Sequence, residues 1–203
     1  GKKGLMTIFS FHTMKNMVTL GEGGMITTDD DNVESFCRSS RFFGMATDSW
    51  GTSNVMTKVQ AAVGMVQLRK LNSFIAARHR LAVRRHELLQ GIPELQLPLE
   101  PSDCEHSYYL YTCLVCREWR GEKRDLLMKM MDEEFGVKCL IANRPAYADR
   151  KYLRDRTPGQ RLELSEEIGQ RLCCVPIHPA MPNEDNEYIC AALIDCIEQI
   201  RKG

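Results

Sequence analysis

The chain has 203 residues, and its 27 Lys plus Arg are balanced by 27 Asp plus Glu, giving a formal net charge of zero. That balance offers no electrostatic case for nucleic acid or an anionic membrane surface, and no apolar run reaches membrane-spanning length. With no charged-then-apolar segment opening it, the sequence reads as a cytoplasmic protein, either one good domain or two modest ones sharing a connecting helix.

Residues 5–11 and 24–28 are β-prone and predict two short strands. Between them lies a polar loop that holds Lys15 and ends at Gly21, Gly23 and Gly24, which permit a tight backbone. Asp29 to Asp31 offer N-caps for a helix over residues 32–43, ended by Gly44, and residues 45–55 form a turn-rich loop. From Thr57, a fitting N-cap, Val59, Ala62, Val63, Val66, Leu71, Ile75, Leu81 and Leu88 keep helical spacing to the stop at Gly91-Ile92-Pro93. This predicts a long linking helix to Leu89. Its Arg78, Arg80, Arg84 and Arg85, with His79 and His86, read as a solvated face.

The remainder alternates. Strands are predicted over 108–115, 137–141 and 174–177, and helices over 123–135, 165–172 and 184–200. Gly136 is the C-cap of the first helix, and the last buries Ile189, Leu193, Ile197 and Ile200 on one face. Residues 142–162, rich in Arg, Pro, Tyr and Gly, predict a long loop of the kind that is often functional. Nine cysteines include a single Cys-x-x-Cys, Cys113 and Cys116, without a second pair or a close histidine pair to complete a metal set. Strand alternation puts those thiols on opposite faces, so they are expected as buried, reduced packing groups, as are Cys173 and Cys174.

Lys15 carries the chemistry. A lysine placed just past a buried strand is positioned and partly desolvated, and its amine can then attack an aldehyde. Ser10-Phe11-His12-x-x-Lys15, followed by Gly21-Glu22-Gly23-Gly24, resembles the lysine motif of the DegT-type pyridoxal-phosphate aminotransferases. Met56-x-x-x-Gln60-Ala61-Ala62-x-Gly64-x-x-Gln67-Leu68 is similar to a second segment of that family. Val175-Pro176-Ile177-His178-Pro179, with Asn183-Glu184-Asp185-Asn186, is similar to a third. The three follow the family's order and span nearly the whole chain.

The resemblance implies the aspartate-aminotransferase fold and pyridoxal 5'-phosphate as cofactor, with Lys15 as the residue that forms the Schiff base and shuttles the proton. It implies that Ser10 binds the cofactor phosphate; His12 stands at a position that varies in the family and often points toward substrate, while on its own it reads first as a packed or solvent-facing histidine. The implied reaction moves an amino group from a donor such as glutamate to a keto-sugar nucleotide, as in polysaccharide or cell-envelope biosynthesis, in a homodimer with shared active sites. The sequence departs from the family in one extra residue between Lys15 and Gly21. It also has Ser53-Asn54-Val55 where the family usually has Asn-Tyr-Arg, so either Asn54 makes the phosphate contact to the neighbouring subunit after a small shift or that contact is lost.

Members of the family are about twice this length, with the lysine near the middle, and this sequence opens on Gly1. The chain therefore resembles the C-terminal half of such an enzyme. The expected class is α/β: residues 1–56 as part of a large cofactor-binding domain, 57–92 as the long connecting helix, and 93–203 as a small α+β domain. The aspartate that pairs with the pyridine nitrogen belongs to the other half. A rival reading follows, in which the chain is a catalytically inert fragment that serves only for dimerisation or interaction.

Overall fold

The computed structural model describes residues 3–202, which divide into two compact units, 3–74 and 75–202, with the division inside one helix. The first unit opens with a hairpin. β1 (Met6–Ser10) pairs antiparallel with β2 (Gly24–Thr28), from Met6 opposite Thr28 to Ser10 opposite Gly24. β1 was expected to be a buried strand, and it is not: Ile8 is 74 % exposed, and Phe9, Met25 and Ile26 are exposed as well. Among the described residues of this unit, nothing packs on the two-stranded ribbon closely enough to bury these side chains.

Asp30 caps α1 (Asp31–Ser40), its carboxylate accepting from the N–H groups of Asn32 (2.8 Å) and Val33 (3.0 Å). The helix stops three residues short of the expected end. Beyond it the chain wraps around buried Ser39, whose hydroxyl accepts from the N–H groups of Ala46 and Thr47. A Cβ on Gly44 would stand 1.6 Å from the Ser49 carbonyl, so only glycine lets these two backbone segments cross.

α2 (Lys58–Leu89) is one continuous 32-residue helix, as its spacing predicts. Thr57 and Gln60 form a capping box. The Thr57 hydroxyl accepts from the Gln60 N–H (3.2 Å), and the Gln60 carbonyl oxygen accepts from the Thr57 N–H (3.0 Å).

The second unit is a three-stranded antiparallel sheet with helices packed on it. The strand order is β3 (Leu95–Gln96), β4 (Tyr111–Val115), β5 (Leu172–Val175). β4 is central and alternates, burying Tyr111, Cys113 and Val115, whereas β5 is buried along its whole length. α3 (Glu122–Phe135) ends at Gly136 in the left-handed conformation (φ +66°). α7 (Asn183–Lys202) buries Ile189, Leu193, Ile197 and Ile200, the face its spacing predicts.

The expected strand over 137–141 is reduced to one antiparallel bridge, Leu140 opposite Cys174. The expected loop over 142–162 contains two short helices, α4 (Ala146–Asp149) and α5 (Lys151–Arg156), and leads to α6 (Glu163–Arg171). No described helix is long and apolar enough to cross a membrane.

The arginines of α2 require a correction. Arg80 and Arg84 are solvated, but Arg78 and Arg85 are 6 % and 0 % exposed. They lie two helical turns apart, on the stripe that also carries Leu81, Ala82 and Leu89. Arg78 donates to the carbonyls of Tyr108 (3.2 Å), Tyr109 (3.2 Å) and Ile177 (2.8 Å). Arg85 donates to Asn186 Oδ1 (2.6 Å) and to the Pro176 carbonyl. A guanidinium presents several donors in a planar fork, so it can hold backbone carbonyls where no strand pairs with them. The Val175–His178 segment thus takes its place from two α2 arginines and from the buried Asn186 of α7.

Candidate active site

The loop between β1 and β2 continues the hairpin beyond its strands. The Phe11 N–H donates to the Gly23 carbonyl and the Thr13 N–H to the Gly21 carbonyl, each at 2.8 Å. At the tip, the Lys15 N–H donates to the His12 carbonyl (2.9 Å), folding the chain back, and the Thr19 N–H returns to the Phe11 carbonyl (3.1 Å). Lys15 is half-buried at this turn, and Ser10 is exposed at the strand end.

Thr19, which is fully buried, organises the loop. A Cβ on Gly23 would stand 2.1 Å from its Oγ1, and one on Gly64 would stand 2.9 Å from its Cγ2. Both glycines therefore exist as space for one threonine side chain. The Glu22 carbonyl accepts from the Gln60 side-chain amide at 2.9 Å. The glycine-rich turn and the start of α2 are thus two walls around Thr19, a physical reason why these two sequence segments belong together. Leu20 (φ +59°) and Gly21 (φ +113°) make the turn back toward β2.

The structure brings three of the four expected site residues into this loop. The Ser10 hydroxyl lies 3.5 Å from the His12 N–H. His12 Nδ1 accepts from the Met14 N–H (3.1 Å), which leaves the ring proton on Nε2, 3.5 Å from a Glu22 carboxylate oxygen. The ring of His12 is therefore engaged within the loop. Asn54 stands apart, in the turn after α1. It is exposed, with its N–H on the Arg41 carbonyl (2.9 Å) and its amide donating to the Thr52 hydroxyl (2.6 Å).

Sequence reasoning did not single out Thr19 or the second role of Gln60. The capping pattern Thr57-x-x-Gln60 marks Gln60. Thr19 has no local signal, because its importance lies in what packs on it. A half-buried primary amine, with a hydroxyl and backbone N–H groups a few residues away, suits a ligand that is both an aldehyde and an anion: the amine meets the carbonyl and the hydroxyl meets the anionic group.

Comparison with known proteins gives the fold and the family. TlmJ, an aminotransferase from Streptoalloteichus hindustanus, is 25% identical and superposes with a TM-score of 0.87, over 98% of this chain and 54% of its own. DesI, solved in the presence of its TDP-sugar product, is 23% identical with a TM-score of 0.89, over 98% of this chain and 51% of its own. NtdA from Bacillus subtilis, with bound cofactor PMP, is 23% identical with a TM-score of 0.85, over 98% of this chain and 47% of its own. The chain thus spans about half the length of the solved structures it matches, and it shares their fold. The model of the DegT/DnrJ/EryC1/StrS aminotransferase family matches residues 1–194, and the chain belongs to that family.

Proposed function

We propose that this chain is the lysine-bearing part of a pyridoxal-phosphate-dependent sugar aminotransferase, with Lys15 as its catalytic residue. The observation that carries the reading is the loop itself: a half-buried lysine held at a turn that Thr19, Gly23 and Gly64 lock by packing. When bound, pyridoxal phosphate supplies an aldehyde that captures the donor's amino group and a ring that accepts the electron pair left at the donor's α-carbon.

The residues of this chain do the rest. Lys15 Nζ would hold the cofactor and would carry the proton between the donor α-carbon and the cofactor carbon that bore the aldehyde. One amine in one position serves as acid and as base. Ser10, at the end of β1, would hold the phosphate, and Asn54, from its exposed turn, would reach the phosphate bound in the neighbouring subunit. His12 lies beside this position and faces substrate with whichever edge Glu22 leaves open. The donor is an amino acid such as glutamate and the acceptor a keto-sugar nucleotide. Family membership supports this reading, as does the sugar product named for DesI. The working enzyme is a homodimer.

The test is reductive trapping: the purified chain is mixed with pyridoxal phosphate, reduced with borohydride and mapped by peptide mass. Stoichiometric modification at Lys15, lost in Lys15→Ala, is expected. Scattered labelling that is the same in both proteins would overturn the assignment.

A second reading is favoured by one observation, the exposed apolar side chains of the first unit, among them Leu5, Ile8, Met25 and Trp50. Large apolar side chains left exposed in this number on one unit favour an interaction surface. In this reading the chain is an inert dimerisation module, and it would self-associate while failing to label at Lys15.

A further inference from the structure

The second unit holds an open pocket of about 690 Å³ between the start of α3, the α4–α5 segment and α6. That volume falls within the usual range of small-molecule sites, about 300–1,000 Å³. Four guanidinium groups line it, those of Arg124, Arg144, Arg154 and Arg161. They come from α3, the residue pair before α4, α5 and the approach to α6, so the fold gathers charges that are apart in the chain. The chain is neutral overall, yet residues 144–161 carry six basic residues and two acidic ones. A local excess of this sign draws anions to the pocket.

Hydrogen bonds and close packing fix the walls. Arg124 is 3% exposed, and its Nη1 donates to the carbonyls of Gly169 (3.1 Å) and Leu172 (2.8 Å), which ties α3 to the end of α6. The Tyr147 hydroxyl donates to Glu166 Oε1 (2.7 Å) and accepts from the Leu162 N–H (3.1 Å), which pins α4 to α6. A Cβ on Gly169 would stand 3.2 Å from Pro145 Cδ, so glycine lets the entry to α4 lie close against α6.

Three carboxylates also line the pocket, but they leave most of the arginine donors available. Asp125 is taken by Arg124 Nε at 2.7 Å. Asp149 lies 3.8 Å from Arg144, and Glu166 lies 3.9 Å from Arg161, both beyond hydrogen-bond distance. Arg154 has no carboxylate partner among the described residues. Its Nη1 donates to the Tyr147 (3.3 Å) and Ala148 carbonyls, and its Nε and Nη2 have no partner there. The positive end of α3 adds to this field. Its N-cap is Gly121, which lines the pocket and has no side chain to cap the first turn.

We propose that this pocket binds the phosphate or diphosphate group of a small organic molecule. The site lies wholly in the second unit, shares no residue with the lysine loop and does not rest on the amino-transfer reading. A carboxylate offers two oxygens and one charge, which a single guanidinium fork satisfies. Arginines from several elements suit a group with more oxygens and more charge, which displaces the loose pairs at Arg144 and Arg161. The volume exceeds what the phosphates fill, so the rest takes an organic body. Gln160 and Gln170 offer amides to its polar groups, and Pro145 and Ala148 offer apolar contact.

The test titrates the purified full chain with inorganic pyrophosphate at low ionic strength, followed by calorimetry, with citrate as a carboxylate of similar charge. Saturable binding of pyrophosphate is expected, with citrate much weaker. Arg144→Gln combined with Arg161→Gln is expected to weaken it about tenfold or more, since each loses a charge-assisted hydrogen bond. Both side chains are exposed, so the melting temperature is expected to stay at the native value. Arg80→Gln, which removes a solvated arginine elsewhere on the unit, should keep the native affinity. No saturable binding, native affinity in the double variant, or equal affinity for citrate would each overturn the proposal. Binding lost in Lys15→Ala but kept in the double variant would assign the anion to the lysine loop and overturn it as well.

Discussion

Thr19 shows how a residue far from any reacting atom can govern a site. Its hydroxyl and methyl occupy the volumes that side chains on Gly23 and Gly64 would claim. Gly23→Ala places a methyl 2.1 Å from Thr19 Oγ1, a contact no flexible side-chain end can relieve, since both atoms sit close to the backbone. Overpacking of this kind costs about 1–3 kcal/mol. The substitution is expected to lower the chemical-denaturation midpoint and reduce cofactor labelling at Lys15. Adding Thr19→Ala should restore part of both, so the pair is non-additive. Strictly additive losses would show that Thr19 does not organise the loop. The hairpin loop that carries Ser10, His12 and Lys15 was legible from the sequence because its strands and glycines are contiguous in the chain. Thr19 was not, because its partners at positions 23 and 64 meet it only after folding. Arg85 was misread as solvated for a related reason: composition makes an arginine look exposed, and only Asn186 and Pro176, distant in sequence, make its burial tolerable.

At the scale of elements, the helices were read more accurately than the strands. α2 and α7 carry their apolar stripes in their own sequence, and local caps mark helix ends: Asp30 opens α1, Thr57 opens α2 and Gly136 closes α3. β3 and the bridge at Leu140 depend on neighbours. β3 is two residues long and exists because β4 lies beside it. It is also clipped to the end of α7, where the Arg201 guanidinium forks onto the Glu94 carboxylate. The hydrogen bond from Arg201 holds the Glu94 carboxyl below its usual value, against a smaller opposing effect of burial. A carboxyl depressed in the folded state contributes stability that is present above its unfolded pKa, about 4.3. That contribution is lost as pH falls from there through the folded value. Acidification through that window is therefore expected to lower the melting temperature of the native sequence more steeply than that of Glu94→Gln. Parallel acid limbs for the two proteins would show that the clip adds nothing.

At the scale of the molecule, the two units differ in how much they bury. Nearly all large buried side chains belong to the second, while in the first Phe11 is the one large apolar side chain among the described residues that is buried. Local stability follows buried apolar contacts. Hydrogen exchange on the isolated chain is expected to find the β1–β2 amides exchanging orders of magnitude faster than those of β4 and β5. Equal protection would mean that the first unit is covered in solution, by a second copy or otherwise, and would favour the interaction reading.

By itself the sequence determined the family, the hairpin with its polar loop, the long helix and the amphipathic face of α7. Each is written in residues adjacent in the chain or repeated at helical spacing, so local physics suffices to read it. Only the tertiary structure decided that Thr19 locks the lysine loop and that two arginines of α2 are buried to hold the Val175–His178 segment. Those facts arise from packing between residues tens of positions apart, and no local pattern encodes which distant side chain will claim a given volume or carbonyl.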